Sequence, residues 1–241
     1  PQDPADEPAS ALLERIRAEK EQLIKDGKIK REKNPSHIYR GNDGHFYEQI
    51  GKAEPICIDD QLPFDIPESW EWARLENVSV QIGDIDHKMP PTVEANGIPY
   101  ISPLNFTSNN GIDFENAKQI SLEDYVCLSK KCSPEKNDII FPRYGTIGVV
   151  RMVNTSRKFL TSYSCCTIKN SKRFMSPKYV YYVLQSKFIK DEINRYINKT
   201  TQPNVGLKSI KRFLFPLPPL AEQQRIVAKL EQLLPLCERL S

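Results

Sequence analysis

The chain has 241 residues, of which 39% are hydrophobic and 27% are charged, and its formal net charge is +3. These values are typical of a soluble globular protein with one domain of ordinary size and some appended elements. No apolar run approaches the ~18–20 residues of a membrane span, and no signal segment opens the chain. We therefore expect a cytoplasmic protein with no membrane partner.

The first predicted elements are a helix and a hairpin. Residues 1–8 are acidic and proline-rich, which is typical of a linker, and Ser10 is a candidate N-cap for a helix that runs to about Lys25. Gly27 predicts the end of this helix, because glycine adopts the left-handed conformation without strain. The Asn-Asp-Gly turn at residues 42–44 lies between aromatic residues and predicts a β-hairpin.

The main domain is predicted to be rich in short strands. Trp70 and Trp72 alternate as on a strand and are expected to pack structurally. Helices are predicted from Ser176-Pro177 onward and over residues 188–197. Strand-like pieces separated by glycine, proline and asparagine occur at residues 78–82, 98–102, 138–142, 146–153 and 162–168. Together these elements predict an α+β fold with a mixed sheet and long loops.

The cysteines do not follow the spacing of a zinc site. Cys127 and Cys132 lie close together, but neither a second pair nor a histidine cluster follows them. Reduced, partly buried thiols are the expected state of all six cysteines, and we expect no bound metal.

Charge is unevenly distributed along the chain. Residues 128–212 hold 18 lysine and arginine residues against 4 acidic ones, a balance of +14, whereas the remainder has a balance of −11. Such a division indicates a basic region that faces a polyanion, although a solvated lysine-rich surface would have the same composition.

The last 26 residues, PLPPLAEQQRIVAKLEQLLPLCERLS, predict a second amphipathic helix. Pro219 suits the first turn of a helix, where its missing N–H is not needed. Apolar residues follow at spacings of three and four, and those expected to pack against a helix or a partner are Ile226, Leu230, Leu233 and Cys237. Because this stripe continues to the last residue, we expect a truncated chain or an element that pairs with another chain.

These residues resemble a known family. The phrase at residues 216–241, the opening phrase PQDPADEPASALLERIRAEKE and the Pro-x-x-Trp-x-Trp-x-x-Leu pattern at residues 67–75 are similar to the specificity subunit of type I restriction-modification enzymes. The resemblance implies a conserved helix and linker at residues 1–33. A target-recognition domain would follow at 34–215, with its core at 62–215, and the start of a coiled-coil helix at 216–241. The flanking helices would form part of a coiled-coil stalk.

Three loops carry the resemblance within the recognition domain, and in chain order they are residues 82–91, 141–150 and 199–208. In the second loop, Arg143 has the donor geometry to contact a guanine edge or a phosphate. The second and third loops each have an alternative interpretation as a structural turn, and in the first loop His87 could instead serve acid–base or metal chemistry. The residues expected to contact DNA are His87 and Lys88 in the first loop, Arg143, Tyr144, Gly145 and Thr146 in the second, and Thr200, Thr201, Gln202, Asn204 and Lys208 in the third. We expect Arg143→Ala to weaken DNA binding and to leave stability nearly unchanged.

The function implied by the resemblance is recognition without catalysis. Such a chain reads one half of a bipartite site in double-stranded DNA and docks the modification and restriction subunits. The partner subunits, not this chain, use S-adenosylmethionine, ATP and Mg²⁺. A fragment could also form a homodimer through its helices.

Two other functions are alternatives to DNA recognition. A DNA methyltransferase or nuclease with its own recognition domain would need a glycine-rich cofactor loop, which the sequence lacks. A helix-mediated assembly protein without a nucleic-acid role would not need the +14 region.

Overall fold

The computed structural model describes residues 2–85, 89–198, 201 and 203–238. Within these residues the α-helices are α1 Ala9–Lys25, α2 Leu75–Val78, α3 Leu122–Ser129, α4 Pro177–Gln185, α5 Lys187–Tyr196, α6 Leu207–Lys211 and α7 Leu220–Glu238. The strands are β1 Ser36–Arg40, β2 Phe46–Ile50, β3 Ile56–Cys57, β4 Glu71–Arg74, β5 Ser79–Gly83, β6 Ile98–Ile101, β7 Lys118–Ile120, β8 Ile139–Pro142, β9 Arg151–Met152, β10 Leu160–Thr161, β11 Cys165–Asn170 and β12 Leu214–Leu217. Helices and mixed sheets therefore occur together, and the predicted α+β class is confirmed.

The chain divides into two units that are not continuous in sequence. The first unit comprises Pro1–Val80, Ser171–Val183 and Arg212–Ser241, and the second comprises Gln81–Asn170 and Leu184–Lys211. This division differs from the three consecutive segments predicted, 1–33, 34–215 and 216–241. The reason is strand pairing: β4 pairs antiparallel with β12, so the chain returns to the first unit before α7 begins.

Helix α1 starts earlier than predicted and ends as predicted. Its N-cap is Pro8, not Ser10, and the carbonyl oxygen of Pro8 accepts the amide of Ala11 at 3.1 Å. Pro8 itself has φ −64° and ψ 153°, the extended conformation of an N-cap residue, so the helix begins at Ala9. Gly27 has a φ of +70°, and the amide of Lys28 donates to the carbonyl of Leu23 at 2.9 Å, which confirms the glycine stop.

The predicted hairpin is formed by β1 and β2. They pair antiparallel from Ser36 opposite Ile50 to Arg40 opposite Phe46, and Gly44 adopts a φ of +87° in the connecting turn. Strand β3 then adds to the outer edge of β2. The hairpin signal is thus confirmed.

A buried ion network holds the hairpin to β4. The guanidinium of Arg74, which is 0% exposed, donates to both carboxylate oxygens of Glu48 at 2.9 and 2.6 Å. Arg212 approaches the same carboxylate at 3.2 Å, and Ser36 donates its hydroxyl to it at 2.6 Å. This network connects β1, β2, β4 and the residue that lies two positions before β12.

The two tryptophans are structural, as expected. Trp72 is completely buried and packs 5.1 Å from the ring of Phe64. The indole nitrogen of Trp70 donates to Glu222 at 2.9 Å, in the first turn of α7. That helix begins directly after Pro219, whose carbonyl accepts the amide of Gln223 at 2.9 Å.

The second unit contains two sheets and two apolar clusters. Its sheet orders are β5-β11-β8-β9 and β10-β6-β7. One cluster is built around Ile101, Ile140 and Phe159, and the other around Ile85 and Leu160. The strand predicted over residues 146–153 is wrong for most of its length, because only Arg151–Met152 are extended within a sheet. Among the described helices, none is both long and apolar enough to cross a bilayer.

Candidate nucleic-acid interface

The loop that follows β8 is a tight turn. Gly145 and Gly148 have φ values of +71° and +79°, which other residues adopt only with strain. The amide of Ile147 donates to the carbonyl of Gly145 at 2.9 Å, and that of Val149 donates to Thr146 at 3.2 Å. These two glycines interrupt the strand predicted here and leave the tip of the turn exposed to solvent.

The buried side chain of Arg143 stabilises the base of this turn. It is 4% exposed, its guanidinium lies 2.9 Å from the carboxylate of Asp84, and it donates to the carbonyl of Tyr163 at 3.1 Å. The same guanidinium lies 5.4 Å from the ring centroid of Tyr144. In this geometry the guanidinium is turned inward and ion-paired, and it positions the turn. Its contact with a base edge or a phosphate stays a prediction.

The second and third loops adjoin each other. Tyr144 forms a β-bridge with Asn204, and the amide of Val205 donates to the carbonyl of Arg143 at 3.0 Å. Asn204 is also bridged to Asn198, whose amide donates to the Asn204 carbonyl at 2.9 Å. The beginning of the first loop reaches the same place, because Asp84 pairs with Arg143.

Three segments far apart in sequence thus meet at one place in the second unit. The predicted residues His87, Lys88, Thr200 and Gln202 lie outside the described residues. Gly145, Thr146 and Thr201 are exposed, whereas Tyr144 and Asn204 are half-buried. We call these five residues, Tyr144, Gly145, Thr146, Thr201 and Asn204, the loop surface.

The loop surface has the chemistry of a polar binding face. Hydroxyl, amide and open backbone groups can bond phosphate oxygens or base edges. An added Cβ at Gly145 would meet nothing within 4 Å, so a partner could approach its backbone closely. Lys208, in the short helix α6 after the third loop, is exposed and could neutralise a phosphate.

The net positive charge of the second unit is smaller than that of the sequence segment 128–212. The second unit holds sixteen lysine and arginine residues and eleven aspartate and glutamate residues, a net of +5. Seven acidic residues between positions 81 and 127 belong to the same unit, and one of them, Asp84, pairs with Arg143 and approaches Lys131 at 3.6 Å. Moderate rather than strong attraction to a polyanion follows from this balance.

Two positioning residues were not identified from the sequence. Asp84, at the start of the first loop, and Tyr163 both orient Arg143, which is 59 and 20 positions away from them respectively, so no local pattern indicates either contact. The one feature of the sequence that could have indicated Asp84 is its position, because it is a carboxylate directly after a predicted strand.

Comparisons with known proteins agree with this architecture. The chain is 28% identical over 255 residues to the EcoAI specificity subunit of a type I restriction enzyme from Escherichia coli, covering 100% of this chain and 38% of that subunit. It is 26% identical to the EcoEI specificity subunit of the same organism, covering 99% and 38%. The chain therefore spans less than half the length of these curated relatives.

Solved structures show a similar fold. The HsdS subunit from Thermoanaerobacter tengcongensis matches with a TM-score of 0.54 at 22% identity, covering 74% of this chain and 45% of that one. A chain from a structural study of complex assembly and conformational transition in the type I R-M system matches with a TM-score of 0.56 at 19% identity, covering 96% and 50%.

The family comparison covers most of the chain. Residues 67–240 match the sequence model described as type I restriction modification DNA specificity domain. This span includes all three loops, β4 and α7. The chain belongs to the family of type I restriction-modification DNA specificity domains.

Proposed function

We propose that the second unit binds duplex DNA through the loop surface and reads one half of a bipartite target, without catalysing a reaction. The observation that carries this proposal is the convergence of the three loops. A buried ion pair between Arg143 and Asp84 orients the turn, so that its polar tip is presented to solvent in a defined conformation. A preorganised surface of this kind loses little conformational entropy when it binds.

The roles that we propose for this chain and for its partner subunits follow from the chemistry of the loop surface. Hydroxyl, amide and backbone groups suit recognition and positioning, and the relatives at 28% and 26% identity are named specificity subunits. We assign methyl transfer from S-adenosylmethionine, and the steps that use ATP and Mg²⁺, to partner subunits.

Lys208→Ala is expected to weaken the binding of labelled DNA duplexes, and to do so by the same factor whatever their base sequence. Removing one phosphate contact should also reduce the slope of log K against log salt by about 0.9, because fewer counterions are released. The measurement is a fluorescence anisotropy titration at several salt concentrations from about 50 to 200 mM.

The matched control is Lys118→Ala, which removes an exposed lysine of the same unit that lies on β7, outside the three loops. It should bind like the parent. Equal losses in both variants would indicate a diffuse charge effect and would count against a localised interface. A parent chain that does not bind DNA at low salt would end the proposal.

The far half of α7 is proposed to contact the modification subunit. The near half is packed: Val227 is 7% exposed, and Arg225 pairs with Asp6. Of the predicted packing residues, Ile226 and Leu230 are half-buried, whereas Leu233 and Cys237 are exposed. Leu233, Leu234 and Leu236 are 43%, 40% and 52% exposed, and such a group of neighbouring exposed apolar side chains is typical of a protein interaction site.

Leu233→Asp is expected to abolish association with the modification subunit of the same system while leaving the chain folded. The side chain is exposed, so a carboxylate there costs little in the isolated chain but would be desolvated in a helix interface. Sedimentation velocity of the mixture measures the association. Gln232→Asp adds the same charge one position away and should behave like the parent. Unchanged complex formation by the leucine variant would exclude this face.

A further inference from the structure

A cluster of metal-ligating side chains lies at the outer end of the hairpin in the first unit. His45 ends the turn between β1 and β2, Cys57 ends β3, and Asp59 begins the short 3-10 turn Asp59–Gln61. One ligand atom from each residue can be chosen such that all three lie within 4.8 Å of one another. In the hairpin register Cys57 is opposite Tyr47, two residues after His45, which explains why they meet.

The surrounding hydrogen bonds orient two of these ligands. Asp59 accepts the amide of Phe46 on Oδ1 at 2.7 Å, which leaves Oδ2 directed at Nδ1 of His45, 2.5 Å away. Asp43 accepts the amide of His45 at 3.2 Å and the hydroxyl of Tyr47 at 2.7 Å, so a second carboxylate is fixed beside the cluster. Such outer contacts are those that hold ligands in place around protein metals.

We propose that His45 Nδ1, Cys57 Sγ and Asp59 Oδ2 bind a zinc ion. An imidazole nitrogen, a thiolate and a carboxylate are ligands that zinc accepts together, whereas Mg²⁺ and Ca²⁺ prefer sites made of oxygen alone. Three protein ligands leave the fourth tetrahedral position to water. Binding releases the proton of the Cys57 thiol to solvent. The Nδ1 proton is also released if the ring is an imidazolium, and it moves to Nε2 if the ring is neutral.

The geometry requires movements of about 1 Å: Nδ1 and Oδ2 must separate, and Sγ, which lies within 4.8 Å of the other ligand atoms, must come to about 3.5 Å from them. Ligand atoms around tetrahedral zinc lie about 3.3 Å apart when the metal–ligand distances are about 2.0 Å, so Nδ1 and Oδ2 must separate by a little under about 1 Å. The His45 side chain is 57% exposed and can rotate to allow this separation. Cys57 is exposed too, so its thiol is accessible to the ion.

The expected consequence of the ion is local cross-linking. Strand β3 has two residues, both exposed, and therefore contributes little apolar burial of its own. A bound zinc ion would cross-link β3 and the following turn to the hairpin. The site belongs to the first unit and is independent of the DNA contacts proposed for the second.

The test is zinc binding by the full chain, kept reduced, in competition with a chromogenic chelator. We expect one equivalent of zinc, and Co²⁺ in its place should show a thiolate-to-cobalt charge-transfer band. Cys57→Ser and His45→Ala should each reduce zinc affinity by more than about tenfold, since even loss of an outer-shell partner costs that much.

Cys127→Ser is the matched control, because Cys127 is an exposed cysteine in α3 of the second unit. It should bind zinc like the parent. Circular dichroism without metal confirms that each variant is folded. Absence of zinc binding by the parent, binding that survives Cys57→Ser, or loss on Cys127→Ser instead would each overturn the assignment.

Discussion

Arg143→Ala is expected to lower the free energy of unfolding by about 3 kcal/mol, because removing one partner of a buried ion pair leaves the other charge uncompensated. Asp84 is 6% exposed and would lose the guanidinium that lies 2.9 Å from its carboxylate. Lys131, 3.6 Å from that carboxylate, compensates in part, and this places the value at the lower end of the range of about 3–5 kcal/mol for such pairs. Urea unfolding followed by far-ultraviolet circular dichroism measures the change.

This result would separate two roles for the same residue. The role predicted from sequence, a direct contact with DNA, requires weaker binding with nearly unchanged stability. The positioning role requires lost stability, and it also requires that Asp84→Ala combined with Arg143→Ala recovers part of the loss. Arg157→Ala is the control, because it breaks an exposed pair with Glu115, which is 84% exposed, and should cost less than about 1 kcal/mol. An Arg143→Ala variant as stable as the parent would favour the original prediction.

Glu48→Ala is expected to lower the free energy of unfolding by about 3–5 kcal/mol. Arg74 would then be a fully buried guanidinium without its carboxylate, and Arg212 and Ser36 would lose the same acceptor. Both tryptophans, Trp70 and Trp72, lie in the first unit, so their fluorescence during urea unfolding reports on the unit that contains the network.

The effect of Glu48 should depend on pH with a definite sign. Burial raises the pKa of Glu48, but the hydrogen bonds from Arg74 and Ser36 and the charges of Arg74 and Arg212 together lower it more, and the pKa lies below its ordinary value of 4.5. A depressed carboxyl pKa contributes stability above the ordinary value, and that stability is lost as pH falls through the folded value. The difference between parent and variant should therefore shrink below about pH 4.5. A pH-independent difference, or Glu115→Ala being equally costly, would contradict the network.

Local features of the fold were predictable from sequence because they depend on neighbouring residues. The glycine stop at Gly27, the hairpin turn at residues 42–44 and the helix starts at Pro177 and after Pro219 each follow from the backbone preferences of a few residues. The failures are local too. Pro8 displaced the expected cap at Ser10, and the positive φ angles of Gly145 and Gly148 interrupted a predicted strand.

The sequence by itself determined the family and the α+β class, since phrases of residues carry that information directly, and it predicted the three loops as the DNA-binding region. Only the tertiary structure decided that Arg143 faces Asp84 instead of solvent, that Tyr144 lies beside Asn204, and that His45 meets Cys57 and Asp59. The physical reason is that strand register and burial set these contacts. Both depend on the free energy of packing the whole chain, and no short stretch of residues contains that information.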